Sequence, residues 1–179
     1  MSPPAFCAQK SNLFQLAYLV EELDSAILAW VEQFGTGPWF RLAGFKGADA
    51  TYRGTPSEAA ITLAMAFSGN ICIELIQPDD DQPSIWREHI ERYGYGFHHF
   101  GKLTTAYDAE IKRYNEDDRE LVFEAGAPTG SRLGFIDTTG IVPGYTELIE
   151  VDDATTTMFG NFRAASLDWN GDAPIRNFA

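Results

Sequence analysis

Cysteine is almost missing from this chain. Of 179 residues only Cys7 and Cys72 carry a thiol, so spacing offers neither a disulfide framework nor a thiolate metal cluster, and a reducing compartment is the default expectation. Positive charge is scarce too: Lys and Arg total 13 against 26 Asp and Glu, a formal net charge of -13. Polyanions are not drawn to such a surface, which argues against nucleic acid and anionic membranes as partners. No apolar run approaches the ~20 residues that span a bilayer, and Met1-Ser2-Pro3-Pro4-Ala5-Phe6 has no basic stretch leading into an apolar one. Together these absences predict a cytoplasmic protein.

What is present is ordinary globular composition, 45% hydrophobic and 22% charged, enough to bury a core as one domain or two small fused modules. Leu13 to Val20 reads as a buried strand. Asp24 then caps a helix whose Ile27, Trp30, Val31 and Phe34 recur at helical spacing until Gly35. After Gly37-Pro38, strands fit Trp39 to Phe45, Ala50 to Arg53, Ala60 to Phe67 and Ile71 to Gln77, with Ser68-Gly69-Asn70 as a hairpin turn. Asp79-Asp80-Asp81 is a solvated linker, and Ser84 starts a short helix that ends near Gly94. The order then returns. A strand from Phe97 to Leu103 precedes a helix capped by Thr105 and presenting Tyr107, Ile111 and Tyr114, followed by strands at Leu121 to Glu124, Leu133 to Asp137 and Tyr145 to Val151. In the tail, Thr155 to Leu167 reads as helical, with Phe159, Phe162 and Trp169 docking on a core.

The predicted class is therefore α+β. Two βαβββ modules, residues 13–78 and 96–151, form a cupped mixed β-sheet. An N-terminal segment (1–12), a linker with a short helix (79–95) and a C-terminal helical extension (152–179) complete the chain.

The repetition extends to polar residues. Ile73-Glu74-Leu75-Ile76 and Thr146-Glu147-Leu148-Ile149 each set one carboxylate inside an apolar strand, where an unpaired charge is costly. Each follows an earlier apolar strand bearing one neutral metal-capable group, Gln15 or His99. Alternation along the strands groups Gln15 with Ala17 and Leu19, His99 with Phe97 and Gly101, Glu74 with Cys72, and Glu147 with Tyr145. Modules curled toward each other would bring Gln15, Glu74, His99 and Glu147 to one point. Two carboxylates, an imidazole and an amide oxygen suit a divalent ion such as Zn²⁺, Ni²⁺, Co²⁺, Mn²⁺ or Mg²⁺. Without an ion, facing carboxylates repel and one takes up a proton. On the same alternation His98 points away from His99, and His89 reads as a surface residue of the linker helix.

The runs Gln15-Leu16-Ala17-Tyr18-Leu19-Val20, Gly37-Pro38-Trp39, Ile73-Glu74-Leu75-Ile76-Gln77-Pro78, Gly94-Tyr95-Gly96-Phe97-His98-His99 and Tyr145-Thr146-Glu147-Leu148-Ile149-Glu150 resemble the vicinal oxygen chelate superfamily (glyoxalase, bleomycin-resistance and dioxygenase fold). The glyoxalase I and methylmalonyl-CoA epimerase branch is the one it resembles. That resemblance, spanning about Leu13 to Val151, implies that Gln15, Glu74, His99 and Glu147 fall on four metal positions, in the order of eukaryotic glyoxalase I. Epimerases carry His where this chain has Gln15. Glu58, in Pro56-Ser57-Glu58-Ala59-Ala60, falls on their catalytic carboxylate.

By resemblance the chain is a metal-dependent lyase or isomerase. It would abstract a proton alpha to a carbonyl, with Glu147, Glu74 and Glu58 as proton carriers and bidentate chelation stabilising an enediolate or enolate. The implied partners are a small molecule with vicinal oxygens, such as a thiol adduct or acyl-CoA, and a second copy of the chain in a homodimer. Arg41, Lys46, Arg53, Arg132 and Arg163 are the cations available to steer an anionic tail. A metal-free pocket holding an aromatic, antibiotic-like ligand between Trp39, Phe67, Phe97 and Tyr145 is the alternative from another functional class. An iron ring-cleaving dioxygenase requires two His and one carboxylate, which Gln15 disfavours.

Overall fold

The computed structural model describes residues 13–178; segment 1–12, Cys7 included, lies outside the described residues. Eleven strands and four helices follow in the order β1 (Leu13–Leu19), α1 (Leu23–Phe34), β2 (Trp39–Phe45), β3 (Ala48–Tyr52), β4 (Thr55–Pro56), β5 (Ile61–Ser68), β6 (Ile71–Pro78), α2 (Ile85–Tyr93), β7 (Gly96–Thr104), α3 (Tyr107–Glu116), β8 (Leu121–Gly126), β9 (Arg132–Ile136), β10 (Tyr145–Glu150), α4 (Asp153–Ser166) and β11 (Ile175–Asn177). The α+β class and the C-terminal helix are as expected. No helix among the described residues is long and apolar enough to cross a membrane.

Helix starts depend on whichever oxygen lies nearest the first exposed N–H groups. Ser84 caps α2 by accepting from the Arg87 N–H at 3.2 Å, and Asp152 caps α4 by accepting from the Thr155 N–H at 2.7 Å. The expected caps at Asp24 and Thr105 do not form. Asp24 lies inside the first turn of α1, where the Leu23 N–H donates to Gln77 Oε1 of β6 at 2.8 Å. Ala106 occupies the N-cap of α3, and Thr104 Oγ1 accepts its N–H at 3.0 Å. A tertiary contact and the preceding strand supply what the local sequence was expected to supply.

All strands join one mixed sheet in the order β11-β2-β5-β6-β1-β7-β10-β9-β8-β3-β4. The halves meet where β1 and β7 run antiparallel, while β1–β6 and β7–β10 are parallel. One feature departs from a simple repeat: β3 leaves its own half and pairs with β8 of the other, drawing the two ends together into a cup. Helix α1 covers one outer flank, with Leu23 and Ile27 packed among Trp39, Ala64 and Leu75. Helix α3 covers the other flank through Tyr107 against Ile136 and Leu148. Inside the cup, Trp86 of α2 stands edge-on to Phe123 at 5.1 Å, and Phe159 of α4 meets Phe14 at 4.7 Å.

The four central strands each carry one of the four polar residues, and their register places them in two adjacent cross-strand rows. One row runs Cys72, Gln15, Gly101, Glu147; the next runs Glu74, Ala17, His99, Tyr145. In each row the residue between the two polar side chains is glycine or alanine. Gly101 has no freedom to change, because a Cβ there would lie 2.5 Å from Gln15 Cβ. Gly101→Ala should therefore push β1 from β7 and displace Gln15. Overpacking of this kind costs about 1–3 kcal/mol, or a melting temperature lower by roughly 3–10 °C for a chain of this size. An unchanged melting curve would show that the strands yield without strain.

Candidate metal centre

Gln15, Glu74, His99 and Glu147 are all buried, with relative exposures of 1%, 4%, 0% and 7%. The cup assembles them within a single chain. Gln15 Nε2 donates to Glu74 Oε2 at 2.9 Å and to Glu147 Oε2 at 3.2 Å, and lies 3.3 Å from His99 Nε2. His99 Nε2 in turn stands 3.3 Å from Glu74 Oε2 and 3.2 Å from Glu147 Oε2. Four side-chain atoms from four neighbouring strands thus crowd around one point.

Two buried carboxylates need a positive partner. Burial alone would disfavour a charged imidazole at His99, but the hydrogen bonds and charges of Glu147 and Glu74 outweigh it and raise its pKa to about 9. Glu74 is pushed above the usual carboxylate range by burial and by the charge on Glu147, against the pull of His99. The Cys72 thiol, in the same row as Gln15, is driven well up by burial and by both carboxylates. It stays a neutral filler of the wall.

Strand alternation fails at one place here. Ala17 pairs with His99 while Tyr18 pairs with Phe97, so His98 is an extra residue bulged out of β7. Phe97 accordingly leaves the face of His99 and packs outside on Tyr18 at 5.8 Å and Phe100 at 4.6 Å. His98 turns to the side of His99 instead of away from it, and their Nδ1 atoms lie 2.9 Å apart. Burial and the neighbouring His99 and His89 charges hold the His98 pKa well below the ordinary value. A neutral His98 then accepts from the His99 Nδ1–H and leaves Nε2 aimed at the carboxylates, the orienting role that a metal-ligating histidine requires of its neighbour. His89 is not a surface residue: it is 5% exposed, with its ring 5.0 Å from that of His98.

The residues fit a divalent ion on three counts. Glu74, His99 and Glu147 offer ligand atoms all within 4.8 Å of one another. The donor types match a borderline or hard cation. Gln15 Oε1 is buried without a hydrogen-bond partner among the described residues, whereas its amide nitrogen fills the centre; turning the amide over would present that oxygen to a cation. Gln15, Glu74 and Glu147 also line a cavity of about 60 Å³, with His99 behind them. By the rule that one water needs ~10–15 Å³, that space holds a handful of waters or a small ligand.

Other residues singled out in the sequence lie elsewhere. Glu58 is on the surface, paired with Lys46 at 3.2 Å, and is not on the cavity wall. Arg41, Arg53 and Arg132 pair with Asp24, Glu88 and Glu150, and Arg163 donates to Asn70. Trp39, Phe67, Phe97 and Tyr145 do not form the pocket; Trp86, Phe123, Phe135 and Phe159 line it instead. The sequence carried no signal for the inward turn of His98, nor for Thr129, Ser131 and Thr155 on the wall. Those depend on the bulge and on where α4 docks.

Residues 14–135 match the family described as the glyoxalase/bleomycin resistance protein/dioxygenase superfamily. No curated protein sequence matches significantly. Among solved structures, a methylmalonyl-CoA epimerase from Mycobacterium tuberculosis is similar at 19% identity and a TM-score of 0.57, over 80% of this chain and 92% of that one. A single-substitution variant of the Streptomyces coelicolor methylmalonyl-CoA epimerase in complex with 2-nitronate-propionyl-CoA is similar at 18% identity and 0.59, over 80% and 96%. A hypothetical protein from Bacillus halodurans gives 15% and 0.60, over 81% and 97%. At these identities the likeness concerns the fold.

The raised pKa of His99 makes two effects measurable. In metal-free protein the folded value of about 9 exceeds the ordinary 6.5, so the stability from this group is complete below about pH 6.5 and is lost as pH rises through about 9. Melting temperatures across that range should fall from this source. A metal ion competes with the same proton, so its apparent affinity should rise about tenfold per pH unit up to about pH 9, with proton release on binding. Calorimetry in buffers of different ionisation enthalpy measures that release; an affinity flat over this range would contradict the assignment.

Proposed function

Because the chain belongs to the glyoxalase/bleomycin resistance protein/dioxygenase superfamily, we propose that it is a divalent-metal-dependent lyase or isomerase that removes a proton alpha to a carbonyl. The observation that carries this reading is the convergence of two carboxylates, an imidazole and an amide on one buried point at the wall of a cavity. Gln15, Glu74, His99 and Glu147 would hold the ion. A Zn²⁺, Ni²⁺, Co²⁺, Mn²⁺ or Mg²⁺ ion bound there supplies Lewis-acid stabilisation for negative charge developing on vicinal substrate oxygens.

The chain's own groups divide the remaining work. Gln15 and His99 position, His99 through its bond to His98. Glu147 and Glu74 face the cavity and move the proton. The apolar surroundings that push the Glu74 pKa up also make it a stronger base than a solvated carboxylate. Return of the proton to the same carbon is epimerisation; return to a neighbouring carbon completes a glyoxalase-type reaction. Glu58, held on Lys46 at the surface, takes no step in this scheme.

The His99 charge supports a second reading. A protonated imidazole between two carboxylates balances much of their charge without a metal, as a metal-free ligand-binding relative would need. Elemental analysis of protein purified without chelator separates the two. The enzyme reading expects about one divalent ion per chain and substrate deuterium exchange that chelator abolishes. Glu147→Gln should slow the exchange about 100-fold or more. Protein that neither retains nor takes up metal would leave only the binding reading.

A further inference from the structure

We infer that the pocket takes an uncharged, largely apolar carbonyl compound, one of whose further polar groups is received by the hydroxyls of Thr129, Ser131 and Thr155. The inference rests on the proposed chemistry for the quartet but is carried by the rest of the cavity. Leu63, Met65, Phe123, Phe135, Met158 and Phe159 represent its walls, and among the described residues no Lys or Arg lines it. Among the described residues the only charged side chains on its lining are those of Glu74 and Glu147.

Acyl-CoA thioesters and glutathione adducts bring phosphates or carboxylates, which proteins receive with Arg, Lys or clustered N–H donors. Here Arg41, Lys46, Arg53 and Arg132 are engaged by carboxylates away from the wall. The net charge of -13 further repels a polyanion. An uncharged compound meets neither penalty and gains from burial against the aromatic and aliphatic walls.

Apart from Gln15, Glu74 and Glu147, the described wall has one polar interruption. Thr129, Ser131 and Thr155 stand in a triangle, with oxygen separations of 2.9, 3.0 and 3.0 Å. Thr129 and Ser131 come from the β8–β9 connection and Thr155 from the first turn of α4, and all three line the cavity. Ser131 and Thr155 are 4% and 2% exposed. Each hydroxyl supplies one proton and accepts at two lone pairs, so the three hydroxyls, with Thr155 also bonded to the Asp152 carboxylate, keep unused acceptor capacity. Rotating one O–H outward offers a donor to a carbonyl oxygen, while the remaining hydroxyls still bond each other. Within an apolar cavity this triangle discriminates ligands that carry a matching oxygen from those that lack it.

The test uses the full metal-loaded chain and reads binding from its tryptophan fluorescence, Trp86 being on the wall. The probes are 1-phenyl-1,2-propanedione, its three ring-hydroxylated isomers, methylmalonyl-CoA and the glutathione hemithioacetal of methylglyoxal. The uncharged dione should bind about tenfold or more tightly than either anion. At least one hydroxylated isomer should gain roughly fivefold over the parent dione, the size of one good hydrogen bond. That gain should vanish in Thr155→Val, read as the ratio of hydroxylated to parent affinity measured on the same variant, which falls to about one; Ser131→Ala serves if the first variant fails to fold. Tighter binding of either anion overturns the substrate class, and the absence of any hydroxyl gain, or its survival in both variants, overturns the role of the triangle. Failure of the metal reading is separately visible, because chelated protein would then bind the dione as tightly as loaded protein.

Discussion

The structure turns on the burial of two carboxylates at the centre of a sheet. Glu74 and Glu147 reach the same point from strands separated by β1 and β7, and two negative charges so close in an apolar interior persist only with positive charge between them. The raised His99 pKa favours a proton there in the metal-free protein, and on the proposed reading a divalent ion would supply that charge more fully. The proton and the ion would then compete for one place. His98 couples to that choice: as a neutral acceptor at His99 Nδ1 it keeps Nε2 facing the carboxylates in either state.

Everything nearby serves the convergence. Gly101 and Ala17 occupy the positions between the paired polar residues of each row, where larger side chains would fill the centre. The outer helices α1 and α3 bury the convex face of the sheet, leaving the concave face for α2 and α4. The excursion of β3 to β8 binds the halves together at their far edges, so the strands that supply one polar residue each to the centre are held in a common curvature.

Polar machinery occupies one small part of the cup, and the remainder is apolar. Phe14, Phe67, Ile149, Phe159 and Phe162 pack together where α4 meets the sheet, so the extension helps build the cavity wall as well as closing the core. The quartet and the rest of the wall come from different elements: the first from the central strands, the second largely from the β8–β9 connection, α2 and α4. The epimerases to which the chain is structurally similar share the fold at under 20% identity.

By itself the sequence determined the strands and the residue types they carry. β2 falls at Trp39–Phe45 as expected, β6 and β10 lie within a residue of their expected bounds, and an isolated charge in an apolar strand identified Glu74 and Glu147, because alternation is a local property with a period of two. Only the tertiary structure decided which groups stand beside them. The bulge at His98 reverses the alternation of β7, and its cause is the pairing with β1, a partner 84 residues away at the level of Gln15 and His99. The contact that satisfies the start of α1, the crossing of β3 and the hydroxyl triangle likewise depend on segments remote in sequence that meet only after folding. Periodicity records which face a side chain takes within its own element; it carries no record of what the chain folds against that face.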